Sequence, residues 1–258
     1  AKGQVVVTLD GQGADEQLAG YHYFFGYHFK DLLKRMKLMK LLSESFYYMK
    51  NHNSIYGLKT MIYFLIPETL KSGLRTSEHN YINKDFLSRY SLSNSITKNL
   101  YGSKSLNEAL YDHFEFKLEH LLKWEDRNSM NFSLESRVPF LDHRLVEKTL
   151  SLPSDKIIRK GVTKKILREA MNGVLPESIR LRKDKVGFET PQDKWFRTDK
   201  FKNFIIELLS SESFRKRGII NIDRAEKMYS DHLKKKSNVS KEIWKWINLE
   251  LWFREFID

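Results

Sequence analysis

Val5-Val6-Val7-Thr8-Leu9-Asp10-Gly11-Gln12-Gly13-Ala14-Asp15-Glu16 is the stretch on which the fold turns. Its first five residues are mostly β-branched and apolar, which predicts a short buried strand ended by a glycine turn. Gly11 and Gly13, one residue apart, let the backbone approach a ligand with no Cβ in the way. Ala14-Asp15-Glu16-Gln17-Leu18 reads as the first turn of a helix. Free N–H groups and the positive end of the helix dipole then sit beside two carboxylates. That pairing suits a magnesium-phosphate group, the amides meeting phosphate oxygens while a carboxylate holds the metal. It is also ordinary α/β punctuation, and by itself it does not separate a site from a connection. No third glycine follows at dinucleotide-motif spacing, and no Gly-Lys-Ser/Thr makes it a P-loop.

The rest of the composition narrows the class. A chain of 258 residues with 41% hydrophobic side chains can bury a real core. Five prolines and twelve glycines are few for this length, so helices with short connections are expected. Absence of cysteine excludes disulfides, thiolate metal sites and a cysteine nucleophile within this sequence, and a cytoplasmic setting is the expectation. The longest apolar run, Met61 to Ile66, falls far short of the roughly 20 residues of a membrane span. Ala1-Lys2-Gly3 lacks the apolar region of a secretory signal, and the chain opens almost directly on a strand, as if cut from a larger fold.

A net charge of +12 admits nucleic acid, an anionic membrane surface or polyphosphate as partners. Nine basic residues against three acidic lie between Arg159 and Lys185, around two candidate loops rather than along a groove-reading helix. Lys234-Lys235-Lys236 reads as a solvated helix end or loop.

Leu18 to Leu42 carries Tyr21, Tyr23, Phe24, Phe25, Tyr27, Phe29, Leu32 and Leu33, a stripe expected in the core. Gly20 and Gly26 predict a broken helix or two helices there. From Ser43 to Ser103 the pattern is irregular, with short helical pieces, and Arg75 to Asn83 reads as a loop. Ser105-Leu106-Asn107-Glu108 is a capping box that opens a helix through Leu122, which then runs into Trp124-Glu125-Asp126-Arg127-Asn128-Ser129-Met130. His113 and His120 share one flank of it without completing a metal pattern, and all eight histidines read as surface or partly buried. Charged residues packed among apolar ones from Trp124 to Asp142 predict buried pairs, structural or engaged with a ligand. Leu141 to Leu150 is expected to be helical, ended by Ser151-Leu152-Pro153. Thr163 is a plausible cap for the next helix. Lys164 and Lys165 in its first turn oppose the helix dipole, which an anion would explain. Lys185 to Pro191 reads as a loop with Trp195 and Phe196 returning to the core. Ser240 to Asp258 is a tryptophan-rich helix expected to be buried on several sides, against the rest of this chain or against a missing partner domain.

Taken in order, these motifs resemble a known family. Gly11-Gln12-Gly13-Ala14-Asp15-Glu16 with Gly20-Tyr21, Arg127-Asn128-Ser129-Met130, Glu135-Ser136-Arg137-Val138-Pro139-Phe140-Leu141-Asp142, Lys164-Lys165-Ile166-Leu167-Arg168, and Lys185-Val186-Gly187-Phe188 with Pro191 and Trp195 are similar to the synthetase domain of glutamine-hydrolysing asparagine synthetases. The resemblance runs from about Val5 to Trp195. It implies a mainly α chain, the carboxyl-terminal helical part of an α/β ATP-pyrophosphatase (adenine nucleotide alpha hydrolase-like) domain, with one short strand near the amino end. It also implies ATP and Mg²⁺, with the aspartate β-carboxylate activated as an acyl-adenylate and ammonia from glutamine displacing AMP. Asp15 would hold the metal, and Gly11, Gly13, Asp15, Glu16, Glu135, Arg137 and Lys185 would surround nucleotide or intermediate. Lys164 would be the catalytic lysine, neutralising charge on the α-phosphate and the acyl oxygen.

Three departures accompany the resemblance. No Ser-Gly-Gly-x-Asp-Ser pyrophosphate loop is present, and no glutaminase domain with its amino-terminal cysteine, so the sequence is expected to be a partial synthetase domain, residues 1–258, that is inactive alone. Gln12 stands where well-known members carry a glutamate proposed to deprotonate ammonia, and Asp10 replaces a small hydroxyl residue. Gln12 cannot act as a base, though it can orient a nucleophile. The expected partners are aspartate, ammonia or glutamine, the missing regions and a homodimer, with no membrane and no specific nucleic acid. Two rivals stay open: an adenylating relative with another acceptor, of the β-lactam or lasso-peptide cyclising kind, and a basic helical binding module.

Overall fold

The computed structural model describes residues 1–67, 80–90, 95–184, 187 and 190–258. These divide into two compact units, Ala1–Pro67 with Asn94–Lys185, and Glu68–Ser93 with Val186–Asp258. Among the described residues the chain is mainly helical, with one two-stranded sheet.

In the first unit, β1 (Val7–Leu9) leads through the glycine turn into α1 (Ala14–Gln17), α2 (Phe24–Lys34), α3 (Leu38–His52) and α4 (Tyr56–Leu65). The strand is shorter and more open than expected: Val6 and Leu9 are 76% and 75% exposed. Its single partner among the described residues is β2 (Glu135–Arg137), parallel, with Thr8 opposite Ser136. Parallel strands are ordinarily covered on both faces, and this pair is not. The expectation of one strand misses β2 because its ends are an exposed glutamate and an exposed arginine, leaving no apolar alternation to read.

The aromatic stripe of α2 is core, as expected. Phe24, Phe25, Tyr27 and Phe29 are buried with Tyr48, Phe64, Leu106, Leu110, Ile157 and Ile158. Tyr27 stacks on Phe64 with ring centroids 3.9 Å apart. Gly26 does not break the helix. It lies inside α2, where a Cβ would run into Thr60 of α4, so the glycine allows close helix crossing. The break comes at Arg35–Lys37, where Met36 takes a left-handed conformation (φ 55°). The region from Ser43, expected to be irregular, begins with the regular helices α3 and α4. Most of the expected 75–83 loop lies outside the described residues, and Tyr81, at its end, is buried.

Ser105 caps the Leu106–Phe116 helix by accepting the Glu108 N–H. The returning Glu108 carboxylate accepts instead from Lys104 N–H at 2.6 Å, one residue earlier than in the usual box. A second helix, Leu118–Met130, takes in the charged stretch from Trp124 to Met130. His143–Leu150 is helical behind a 3₁₀ turn at Pro139–Leu141, and the Asp142 side chain caps it. Three histidines, His28, His113 and His232, are fully buried rather than at the surface. Burial pushes His28 and His113 down to about 4, so both are packed as neutral rings.

The second unit has its own core of Tyr81, Phe196, Leu208, Phe214, Tyr229, Ile243 and Trp246, among others. Its closing helix, Ser240–Phe256, buries one face through Ile243, Trp246, Ile247 and Glu250. Trp244, Leu251, Trp252 and Phe256 stay exposed, so the helix is not buried on several sides by the described residues of this chain. Glu250, fully enclosed, is held by Arg217 at 2.6 Å, Ser213 at 2.7 Å and Arg254 at 2.8 Å.

Candidate functional site

The site grows from the turn that follows β1. Asp10 continues the strand pairing by donating its N–H to Arg137 O at 2.8 Å. Gly13 then adopts φ +88°, and a Cβ there would overlap Leu141, so only glycine lets the chain swing into α1. Gln17, at the end of α1, fixes that helix from below. Its amide donates to Phe140 O at 2.6 Å and accepts from the Thr149 hydroxyl at 2.6 Å. Asp15 is thereby presented at one rim of a small cavity.

Lys164 arrives from the other side. Its backbone N–H bonds Leu18 O at 3.1 Å, and the residue is left-handed (φ 54°, ψ 33°) ahead of the Lys165–Ala170 helix. Thr163 is therefore not the cap; Lys164 occupies that position, its ammonium, a donor only, cannot cap the helix, and it reaches Asp15 Oδ1 at 2.5 Å. The two side chains are 28% and 24% exposed, so solvent screens the contact less than it does a fully exposed pair. Gly20 packs against both, and a Cβ there would overlap the Asp15 carboxylate and approach Lys164 Cε to 2.8 Å. Asp15, Gly20, His22, Thr163, Lys164 and Arg168 line a cavity of 110 Å³. A larger recess of 380 Å³ shares His22, His52, Lys183 and Asp184 with it.

Arg168 is held rather than free. It donates to Thr163 O at 2.9 Å and to Arg180 O, while Arg180 returns a bond to Arg168 O at 3.0 Å. Burial, then the neighbouring Arg180 guanidinium, lowers its affinity for the proton from the usual arginine range. Elsewhere in the basic segment Lys165 pairs with Glu169, Arg180 with Glu177 and Arg182 with Asp184.

A second polar group forms where β1, β2 and the Leu118–Met130 helix meet. Ser136 Oγ donates to Glu125 Oε1 at 2.5 Å, and Gln12 N–H bonds Asp10 Oδ1 at 3.0 Å. Burial raises the Glu125 carboxyl pKa; the Ser136 bond opposes the rise, the adjoining Asp10 carboxyl adds to it, and the Gln12 amide opposes it. This is one of the charge clusters expected between Trp124 and Asp142, and Asp10 and Gln12 are part of it.

Other expected site residues are placed differently. Glu16 is buried and accepts from Tyr21 OH at 2.5 Å, so it faces the protein interior beside Asp15 rather than the cavity. Burial, then that bond, pushes the Tyr21 phenol far above its ordinary range. Lys117 sits 3.8 Å over the Tyr21 ring and donates to Tyr23 OH at 2.9 Å. Glu135 and Arg137 are exposed, pair with each other at 2.7 Å, and are not among the residues lining the cavity. Gly11 is exposed at the turn, and Lys185 lies outside the described residues. No group of three or more potential metal ligands occurs among the described residues.

The asparagine synthase family model matches residues 1–254. The chain belongs to the asparagine synthase family. Asparagine synthetase [glutamine-hydrolyzing] 1 of Bacillus subtilis (strain 168) is 27% identical over 98% of this chain and 41% of its own length. Asparagine synthetase [glutamine-hydrolyzing] 3 of the same organism is 30% identical over 70% of this chain and 26% of its own. The Bos taurus asparagine synthetase [glutamine-hydrolyzing] is 37% identical over 28% of this chain and 14% of its own. The chain thus spans about two fifths of the length of the first of these relatives. No solved structure matches it.

Proposed function

We propose that this chain supplies the lysine-and-carboxylate side of an ATP-dependent site that activates the aspartate β-carboxylate as an acyl-adenylate for amidation. The observation that carries this reading is the Lys164–Asp15 contact, with both residues lining one small cavity beside Gly20. In the proposed reaction a carboxylate oxygen attacks the α-phosphorus of ATP, the bond to the bridging oxygen of the β-phosphate breaks, and pyrophosphate leaves. Ammonia then adds to the acyl carbon, the bond to the phosphate breaks, AMP leaves, and the nitrogen loses a proton. Such chemistry rests on position and charge neutralisation more than on covalent help. Lys164 would meet the charge on the α-phosphate, its ammonium held in place by Asp15 until nucleotide arrives.

Asp15 and Asp184 are the two carboxylates lining this cavity, and Arg182 occupies Asp184. One carboxylate fits Mg²⁺, which takes its other ligands from phosphate oxygens and water. The ion would supply charge neutralisation on the pyrophosphate leaving group. Glutamine hydrolysis and the pyrophosphate-binding loop would have to come from regions beyond this stretch, as would the remaining strands of an ATP-pyrophosphatase sheet, and the chain alone would be inactive. We place the activity in the cytoplasm, with a homodimer as the working assembly.

Gln12 favours a second reading. It cannot take a proton from an attacking amine, which keeps open an adenylating relative with another acceptor. Isotope exchange between pyrophosphate and ATP, catalysed by the enzyme that contains this chain and run with aspartate and with other carboxylic acids, separates the two. Exchange dependent on aspartate supports the first reading. Exchange dependent only on another acid supports the second, and binding of DNA or RNA with no exchange overturns both.

A further inference from the structure

We propose that Glu44 and His52 on α3 are positioning residues for Lys164, acting by clamping the backbone of Gly161 three residues before it. The proposal rests on the reading of Lys164 as the charge-neutralising lysine. The turn that delivers Lys164 is unusual in its backbone. Lys160 (φ 51°), Gly161 (φ 65°) and Lys164 (φ 54°) are all left-handed, and two of the three carry side chains that disfavour it. Arg159 and Val162 close the turn by exchanging backbone bonds, each 3.0 Å. Left-handed non-glycine residues persist only where surroundings hold them.

The surroundings here are the polar face of α3. Gly161 N–H donates to the buried Glu44 carboxylate, Oε2, at 3.2 Å. Gly161 C=O lies 2.8 Å from His52 Nε2, and because a carbonyl can only accept, that nitrogen carries the hydrogen. Both hydrogen-bonding groups of one residue are therefore satisfied by side chains of a different helix. Asn51 adds a third tie by donating to Lys160 O at 2.9 Å, and its own oxygen accepts from Lys183 at 2.9 Å. The backbone of Tyr47 and Tyr48 lies 2.6 Å from where a Gly161 Cβ would be, so the turn is seated directly against α3. Moving this turn moves Lys164 N off Leu18 O and its ammonium off Asp15. His52 also lines the cavity, which places the clamp beside the site it serves.

Two readouts test this. Glu44→Met and His52→Phe keep bulk but remove the acceptor and the donor, while Glu44→Gln and His52→Gln keep a group that can remake each bond. In the enzyme that contains this chain, the first pair is expected to lower kcat for ATP–pyrophosphate exchange about 10- to 100-fold with KM for ATP little changed, as misplacement of a positioned group does. The second pair is expected to recover most of it. The independent readout is the rate at which an amine-reactive ester labels Lys164, followed by peptide mass spectrometry with Lys234 as internal reference. Loss of the clamp should speed it about threefold or more, as local opening of the turn exposes the amine. Unchanged Lys164 labelling in Glu44→Met and His52→Phe overturns the proposal, whether or not kcat falls. Labelling that responds in a protein showing no exchange with any carboxylate supports the clamp and instead overturns the function assigned to Lys164.

Discussion

The Lys164 ammonium and the Asp15 carboxylate are in direct contact at 2.5 Å, although one follows a strand near the amino end and the other precedes a helix in the basic segment. Three backbone features make the contact: the left-handed Gly13 that turns the chain into α1, the bond from Lys164 N–H to Leu18 O, and the absence of a side chain at Gly20.

Gly13→Ala forces a Cβ against Leu141 in a left-handed conformation. Strain of this kind costs about 1–3 kcal/mol. Urea unfolding should show that loss in the midpoint with an unchanged slope, while Gly173→Ala, left-handed but with open space around its Cβ, should cost less.

Gln17→Leu removes a buried amide that serves both Phe140 O and the Thr149 hydroxyl. Phe140 O loses this donor, at about 1–3 kcal/mol, whereas the Thr149 hydroxyl keeps Leu145 O and Val146 O as acceptors, so destabilisation should exceed that of Thr149→Val alone. Equal losses in the two variants would contradict the bridging role.

Glu125 carries a pKa raised chiefly by burial, with the Asp10 carboxyl adding to it. A folded-state pKa above the unfolded value means that the native state holds the proton more tightly, so stability falls as pH rises through that range. Glu125→Gln removes this penalty. Unfolding free energies measured from pH 4 to pH 7 should show the variant gaining on the parent as pH rises, with little difference at the acid end.

Glu250 runs the other way. Burial alone would raise its pKa, but Arg217, Ser213 and Arg254 together bring it below the ordinary glutamate range. Its contribution is present above the unfolded pKa and is lost as pH falls through the lowered folded one. Glu250→Ala leaves Arg217 facing an empty, enclosed position and should cost the second unit about 3 kcal/mol, the lower end for breaking a buried pair, because Asp258 still holds Arg217.

Much of this was legible in the sequence where one signal governed. The α2 aromatics, the Ser105 cap and the Lys164 anomaly follow from burial, capping chemistry and helix electrostatics, each local to a few residues. What was not legible depends on distant partners. Gly26 reads as a breaker until Thr60 of α4 is seen packed upon it. β2 carries no strand pattern, because its pairing with β1 rather than its side chains makes it a strand. Thr163 looks a better cap than Lys164, and the contact with Leu18 O, far along the chain, decides otherwise. Glu44 and His52 gave no signal at all, since their targets are backbone atoms. Asp10, read as a mere departure from the family pattern, gains meaning only beside Glu125.

The most direct test of the central claim is ATP–pyrophosphate exchange with Lys164→Met, Asp15→Asn and the double variant, each confirmed as folded by its unfolding curve. Each single change is expected to lower exchange about 10²–10³-fold, the loss that follows removal of a preorganised charge, and the double variant to fall by less than the product of the two. Exchange retained within a few-fold of the parent in a folded Lys164→Met protein would contradict the claim.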